Sequence, residues 1–359
     1  HIGNYGVLRE WSESNPEGAP RPRPVTPAGF VVRSVYDGPV PSGRQRLSEF
    51  LADAGIPGIT GVDTRALTLH LRDKGSRNGL ICRPAGASSG ATHLTDEELT
   101  AAVDILAAFP AMEGRGLIGE VGSRESRTLT PARKGGPHLV LYDCGAKENI
   151  IRELHALGCT LTLMPSESTA EEIRAVGADA VMISNGPGDP AVLEHQVQQT
   201  RELIGEMPVL GICLGHQIIA EAAGAKTGKM KFGHHGVNHP VRDEITRRVF
   251  VTSQNHGFSV EEKTLPKGLD VWFRNANDQS VEGLRDEKRR IRTTQFHPES
   301  APGPTDSRWI FTSFLEAIPG YGAAAGAPDD PGGAAPDTRT GRAERSRSTS
   351  PGKSRKKDR

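Results

Sequence analysis

From His138 onward, short apolar runs alternate with stretches of helical periodicity, and no other feature of the chain narrows its fold so far. Residues 139–143, 160–164 and 180–184 are largely apolar at consecutive positions, which suits strands buried on both faces. Between them, residues 147–157 read as a helix stopped by Gly158. Thr169 and Glu172 have the spacing of a capping box for a helix running to Val176. A further helix over 193–204 leads to a fourth apolar run at 208–212. Strands joined by helical crossovers lie parallel, and right-handed crossovers put helices on both faces of one sheet. The expected fold is therefore α/β, with a mostly parallel, doubly wound sheet whose sites lie at the carboxyl ends of its strands.

Two loops fall at those ends. Asn185-Gly186-Pro187-Gly188-Asp189-Pro190 follows the third strand, and Gly211-Ile212-Cys213-Leu214-Gly215-His216-Gln217 joins the fourth to a helix closed by Gly224. The spacing G-x-C-x-G is the cysteine form of a nucleophile elbow, in which glycines give room for a sharp, strained turn and the reactive atom stands at a helix N-terminus. A thiolate there is favoured by the helix dipole and free N–H groups. A cysteine in an apolar segment is also commonly a small buried hydrophobe. The elbow alone leaves both readings open.

Gln295-Phe296-His297-Pro298-Glu299-Ser300 decides between them. In extended chain, residues two apart share a face, so His297 and Glu299 stand side by side with Pro298 turned away. A nucleophilic cysteine needs a base, and the base needs a group that fixes its tautomer. Cys213, His297 and Glu299 supply the three parts.

The 359 residues suffice for two ordinary domains, and 35% hydrophobic content with few aromatics suits a globular chain that has some unstructured parts. No run of about 18 apolar residues exists to span a membrane, and no signal peptide is visible after His1. Cys82, Cys144, Cys159 and Cys213 form no C-x-x-C pair, which argues against a zinc site or disulfide framework and suits a reducing cytoplasm. Formal net charge is zero but uneven. From Arg339 to the end there are nine basic residues against two acidic ones, so a basic tail follows an acidic body. Such a tail could meet nucleic acid or an acidic protein surface, but its composition reads first as a solvated, disordered segment.

Before His138, residues 29–33 read as a strand, and 47–54 and 65–73 as helices, the second preceded by Asp63-Thr64 and stopped by Gly75. The expected division is a small α+β domain over 1–110, a Gly-, Arg-, Ser- and Pro-rich linker with room for a helix over 111–137, the α/β domain over 138–318, and the tail over 319–359. Beyond Met230, strands at 248–252 and 271–273 suggest an added antiparallel region.

These motifs resemble those of class I (triad) glutamine amidotransferases, and more closely those of the small subunit of glutamine-hydrolysing carbamoyl-phosphate synthase. The 184–190 loop, the 211–217 elbow and the 295–300 segment carry the first resemblance. The second rests on Lys231-Phe232-Gly233-His234-His235-Gly236, His1-Ile2-Gly3-Asn4 and Gly61-Val62-Asp63-Thr64-Arg65, and Gln254-Asn255-His256-Gly257-Phe258 adds to the resemblance as a whole. Together they cover residues 1 to about 318.

The resemblance implies that Cys213 attacks the side-chain amide of glutamine, His297 shuttles the proton and Glu299 orients His297. Oxyanion donors would be the Leu214 N–H and the loop of Gly186 and Gly188, where no side chain obstructs. Gln217, Asn255, Gly257 and Phe258 would bind glutamine, the backbone of the last two holding its α-amino and carboxylate ends. Ammonia would pass to a large synthetase subunit that uses ATP, Mg and bicarbonate to make carbamoyl phosphate for pyrimidine and arginine synthesis. No cofactor or metal is expected in this chain, and no G-x-x-x-x-G-K-[ST] phosphate loop occurs in it. His234 and His235 are read as structural or substrate-proximal rather than as metal ligands, because no cysteine or carboxylate cluster is expected to surround them; His216 and His256 are read alike. The family leads one to expect several dozen residues ahead of His1, including a serine that contacts glutamine and strands of the small domain. Alternatives are a stand-alone cysteine hydrolase, an amidotransferase for a different synthetase, and a non-catalytic interaction subunit.

Overall fold

The computed structural model describes residues 2–8, 26–89, 92–132 and 135–321; the basic tail expected over 319–359 therefore falls almost wholly outside the described residues. The first part carries β1 (Phe30–Val31), α1 (Leu47–Asp53), β2 (Gly58–Ile59), α2 (Thr64–Lys74) and α3 (Asp96–Ala108). β1 and β2 pair in parallel through Phe30↔Gly58 and Val31↔Ile59. The Asp63 carboxylate accepts the Ala66 N–H at 3.0 Å and starts α2. The helix stops at Gly75, whose φ of 89° favours glycine. A Cβ there would also stand 2.9 Å from the Lys231 carbonyl, so Gly75 lets α2 dock against the later sheet. α3 is absent from the expectation above, although Thr95 and Glu98 form a complete capping box at its start.

The stretch read as linker is not free chain. It contributes the short α4 (Ile118–Val121) and β3 (Arg127–Leu129), which pairs antiparallel with a strand of the main sheet through Thr128↔Thr162. The expected boundary at His138 thus lies between two strands of one sheet.

From there the expected alternation holds: β4 (His138–Asp143), α5 (Glu148–Ala156), β5 (Thr160–Pro165), α6 (Ala170–Ala175), β6 (Ala180–Ile183), α7 (Glu194–Leu203), β7 (Val209–Ile212) and α8 (Leu214–Ala222). Then follow β8 (Thr227–Asp243), β9 (Val249–Val260), β10 (Asp270–Asn275), β11 (Val281–Asp286), β12 (Ile291–Thr294) and α9 (Trp309–Glu316). The ten-stranded sheet has the order β3-β5-β4-β6-β7-β12-β11-β10-β8-β9, parallel from β5 to β12 and antiparallel outside.

Strand alternation divides the core in two. Val140, Tyr142, Val181, Ile183 and Val209 face α6, α7 and α8, packing on Ile173, Val197 and Ile218. Leu139, Leu141, Ala180, Met182, Leu210 and Ile212 face α5 and α9, packing on Ile150, Leu154, Phe311 and Phe314. Both faces are covered, as a parallel sheet requires, and each fully buried large aliphatic side chain contributes about 1.5–3 kcal/mol.

The antiparallel part is larger than expected. β8 and β9 are 17 and 12 residues long and form one hairpin. β8 escapes sequence reading because its pairing with β9 shifts register twice, between Lys229 and His234 and between Gly236 and His239. Gly233 (φ 71°) and Gly236 (φ 150°) sit at those irregularities, so no regular alternation survives in the sequence.

Candidate active site

Parallel register brings the elbow and the His-x-Glu segment to one end of the sheet. β7 pairs with β12 through Ile212↔Thr294, and the Cys213 N–H donates to the Thr294 carbonyl at 2.8 Å. Cys213 itself takes the strained backbone, φ 55° and ψ −103°, a conformation that costs a non-glycine residue about 1–3 kcal/mol. The flanking glycines serve space instead. A Cβ at Gly215 would lie 2.1 Å from the Ile183 carbonyl, and one at Gly211 2.5 Å from Ile219 Cδ1. Only glycine lets α8 lie this close to β6 and β7. Leu214 opens α8, so its N–H has no partner within the helix by position.

His297 is reached by the chain beyond β12 and tied to β9, its N–H donating to Ser253 O at 2.9 Å. His297 Nδ1 lies 2.7 Å from Glu299 Oε1, so the two side chains do meet, but through a turn at Pro298 and Glu299, closed by the Ser300 N–H donating to the His297 carbonyl at 3.2 Å, rather than through the extended chain expected from sequence. Burial works against charge on His297, but Glu299 and then the Cys213 sulfur override it and push the imidazole up to about 10. Glu299 is fully buried, which disfavours its anion; His297, then Lys147, nevertheless hold its carboxyl below the usual range.

Lys147 was not among the residues expected from sequence. Its Nζ lies 2.9 Å from Glu299 Oε1 and also donates to the Ser300 carbonyl. It comes from the start of α5, about 150 residues before Glu299, with no local pattern to announce it. Gln295, quoted within the motif, also proves to touch the thiol: its Nε2 lies 3.8 Å from Cys213 Sγ.

Cys213 and His297 open on a cleft of about 1210 Å³. Gly186, Gly188, Gln217, Asn255, Gly257 and Phe258 line it as well, so these expected residues meet in one place, while Glu299 and Leu214 stand behind it. Ser76, Asn78 and Met112 from the first part of the chain close its far side. Gln217, one turn into α8, donates Nε2 to Phe258 O and to Gln295 Oε1, each at 2.9 Å. Asn255 Oδ1 accepts a hydrogen bond from His235 Nδ1, 2.9 Å away.

The Gly186 loop is crowded on its outer side. A Cβ at Gly186 would stand 2.3 Å from the Cys144 carbonyl, and one at Gly188 (φ 105°) 2.6 Å from the Arg115 carbonyl. Asp189 locks the loop by accepting the Gly114 N–H at 2.9 Å and the Ala191 N–H at 3.0 Å.

The histidines divide. His216, on α8 itself, is fully buried, where burial and then His256 push it down to about 3, and it meets Thr293 Oγ1 at 2.8 Å. His234 corrects the expectation that no carboxylates surround it. Its Nδ1 lies 3.1 Å from Glu282 Oε1 and its Nε2 2.8 Å from Asp278 Oδ2. Asp278 comes from the β10–β11 turn and Glu282 from β11, each more than 40 residues away, so neighbouring sequence could not show them. Ligand atoms of His234, His256 and Glu282 lie within 4.8 Å of one another, a spacing that could hold a metal. Each of these side chains, however, is already engaged by protein hydrogen bonds.

Among the described residues, no helix is long and apolar enough to cross a membrane. The pattern of the class-I glutamine amidotransferase family matches residues 140–317, and that of the carbamoyl-phosphate synthase small chain CPSase domain matches residues 1–81. The carbamoyl phosphate synthase small chain of Methanopyrus kandleri is 42% identical over 317 residues, covering 87% of this chain and 82% of that one. Its namesake from Akkermansia muciniphila is 40% identical over 331 residues, covering 88% and 82%. That from Solidesulfovibrio magneticus is 40% identical over 333 residues, covering 89% and 84%. With both domains matched in one chain and such identity along most of its length, the protein belongs to the carbamoyl phosphate synthase small chain family and is its glutamine amidotransferase subunit.

Proposed function

We propose that this subunit hydrolyses glutamine through a thioester on Cys213 and supplies the ammonia to a large synthetase subunit. The observation that carries the reading is the buried His297–Glu299 pair, 2.7 Å apart, beside a cysteine at a strained elbow in the same cleft. The Cys213 thiolate adds to the side-chain amide carbon of glutamine, and the electron pair moves to oxygen. The Leu214 N–H and the Gly186–Gly188 loop are the donors suited to that oxyanion. His297 gives its proton to the amide nitrogen, the C–N bond breaks, and ammonia leaves with the thioester formed. Water then loses a proton to His297 and adds to the thioester carbon, releasing glutamate and the Cys213 thiolate. Glu299 keeps His297 in one orientation and balances its charge throughout, with Lys147 holding Glu299 in turn.

Gln217, Asn255, Gly257 and Phe258 form the wall that would receive the amino-acid end of glutamine. The phosphoryl chemistry, with ATP, Mg and bicarbonate, belongs to the partner in this reading, and the product is carbamoyl phosphate for pyrimidine and arginine synthesis in the cytoplasm. The test is the reconstituted complex with Cys213→Ala. Glutamine-dependent carbamoyl phosphate formation should vanish while free ammonium still supports it. Loss of both would show a role for Cys213 in folding or assembly instead.

A further inference from the structure

We propose that Glu282 and His234 are positioning residues for glutamine hydrolysis, holding the Phe258 wall of the cleft through a buried string of hydrogen bonds. The inference rests on the function proposed above.

Glu282 lies on β11 with no exposed surface, and a carboxylate so placed needs partners for both oxygens. Oε1 accepts from His234 Nδ1 at 3.1 Å and from Asn275 Nδ2 at 3.2 Å, and Oε2 accepts from Gln254 Nε2 at 2.9 Å. On its other side His234 donates to Asp278 Oδ2 at 2.8 Å, and the Asp278 side chain is 45% exposed, so the string begins at the surface. Inward, Gln254 Oε1 lies 2.7 Å from His256 Nε2, and His256 Nδ1 lies 2.8 Å from the Phe258 carbonyl. The same carbonyl accepts from Gln217, whose other partner, Gln295, reaches the Cys213 sulfur.

The contacts make the string one unit. His234 faces a carboxylate at each nitrogen and so donates from both. His256 must donate from Nδ1, because a carbonyl stands opposite. The Gln254 amide links His256 Nε2 to Glu282 Oε2, and turning it over exchanges donor and acceptor at both ends. The string therefore runs unbroken from Asp278 to the cleft wall. Its inner end is a carbonyl on the cleft wall, shared with Gln217. Loosening the outer members frees His256 and lets that carbonyl move relative to bound substrate.

Steady-state glutaminase kinetics of the full chain test this, comparing wild type with Glu282→Ala, Glu282→Gln and Asp278→Ala, and with Cys213→Ala as the inactive control. Glu282→Ala should raise KM for glutamine about tenfold or more while kcat changes less than about threefold, the loss of one hydrogen bond to a charged group expressed in substrate binding. Glu282→Gln, which can still accept from His234 and donate to Gln254, should restore most of KM. Asp278→Ala removes only the exposed end and should raise KM roughly two- to fivefold. It keeps the test open if Glu282→Ala does not fold. Unchanged KM in the folded variants, a fall confined to kcat, or no difference between Gln and Ala at Glu282 overturns the proposal. Turnover that survives Cys213→Ala would overturn the proposed function instead.

Discussion

Replacing Lys147 with methionine keeps the length and apolar stem of the side chain and deletes one charge, which isolates the contact with Glu299. The Lys147 Nζ to Glu299 Oε1 separation is 2.9 Å, and at an effective dielectric of about 20 two unit charges at that distance attract by about 6 kcal/mol. Most of this is offset by removing the ammonium from water, and Lys147 is still 27% exposed, so solvent screens part of the remainder. A net of about 1.5–3 kcal/mol is typical of a hydrogen bond to a charged group. Glu299 has no other means of making good the loss: its Oε2 has no hydrogen-bond partner, and Oε1 would keep only His297. The carboxylate should then hold His297 less firmly in the orientation that faces Cys213. The expected result is a fall in kcat/KM for glutamine of roughly 10- to 150-fold. Melting temperature should change little, because the Lys147 backbone N–H still donates to Asn185 Oδ1 at 2.9 Å and keeps the start of α5 in place. Alkylation of Cys213 by iodoacetamide, measured in parallel, removes substrate binding from the comparison. A folded Lys147→Met protein with wild-type kcat/KM and wild-type alkylation rate would refute the argument that Lys147 acts through Glu299.

Two further outcomes follow from the same geometry. Gly215→Ala should cost about 3 kcal/mol or more in urea unfolding, since its Cβ would meet the Ile183 backbone 2.1 Å away and no flexible side chain can yield; a midpoint within error of wild type would contradict this. Burial opposes charge on His234, but Asp278 and Glu282 outweigh it and raise the imidazole to about 9, so the stability it contributes is fully present below pH 6.5 and is lost as pH rises through about 9. His234→Asn should flatten that part of the stability curve, and an unchanged slope between pH 6.5 and 9 would show that the pair contributes nothing.

What the sequence reveals and conceals here follows the range of the interactions. Strands β4 to β7 were legible because they are buried on both faces, which leaves consecutive apolar residues bounded by caps such as Thr169 and Glu172. Cys213, His297 and Glu299 were legible because each lies in a short segment whose local geometry already limits its chemistry. Lys147 was not, since its partner lies about 150 residues away in sequence and nothing in the neighbourhood of Lys147 marks it. The acids around His234 were hidden for the same reason. β8 was hidden differently: its bulges at Gly233 and Gly236 break the alternation by which strands are recognised. β3 has only three residues, too few to carry any period, and is a strand because β5 offers it a free edge.

The central claim is that Cys213 is the atom-bearing nucleophile for a glutamine side chain held in this cleft. A chloroketone analogue of glutamine, which places an alkylating carbon near the position of the amide, tests it most directly. Digestion and mass spectrometry of the inactivated protein should find one adduct per chain, on the peptide containing residues 211–217, with inactivation slowed by glutamine and absent in Cys213→Ala. An adduct on Cys82, Cys144 or Cys159 instead, or glutamine hydrolysis that continues with Cys213 fully alkylated, would contradict it.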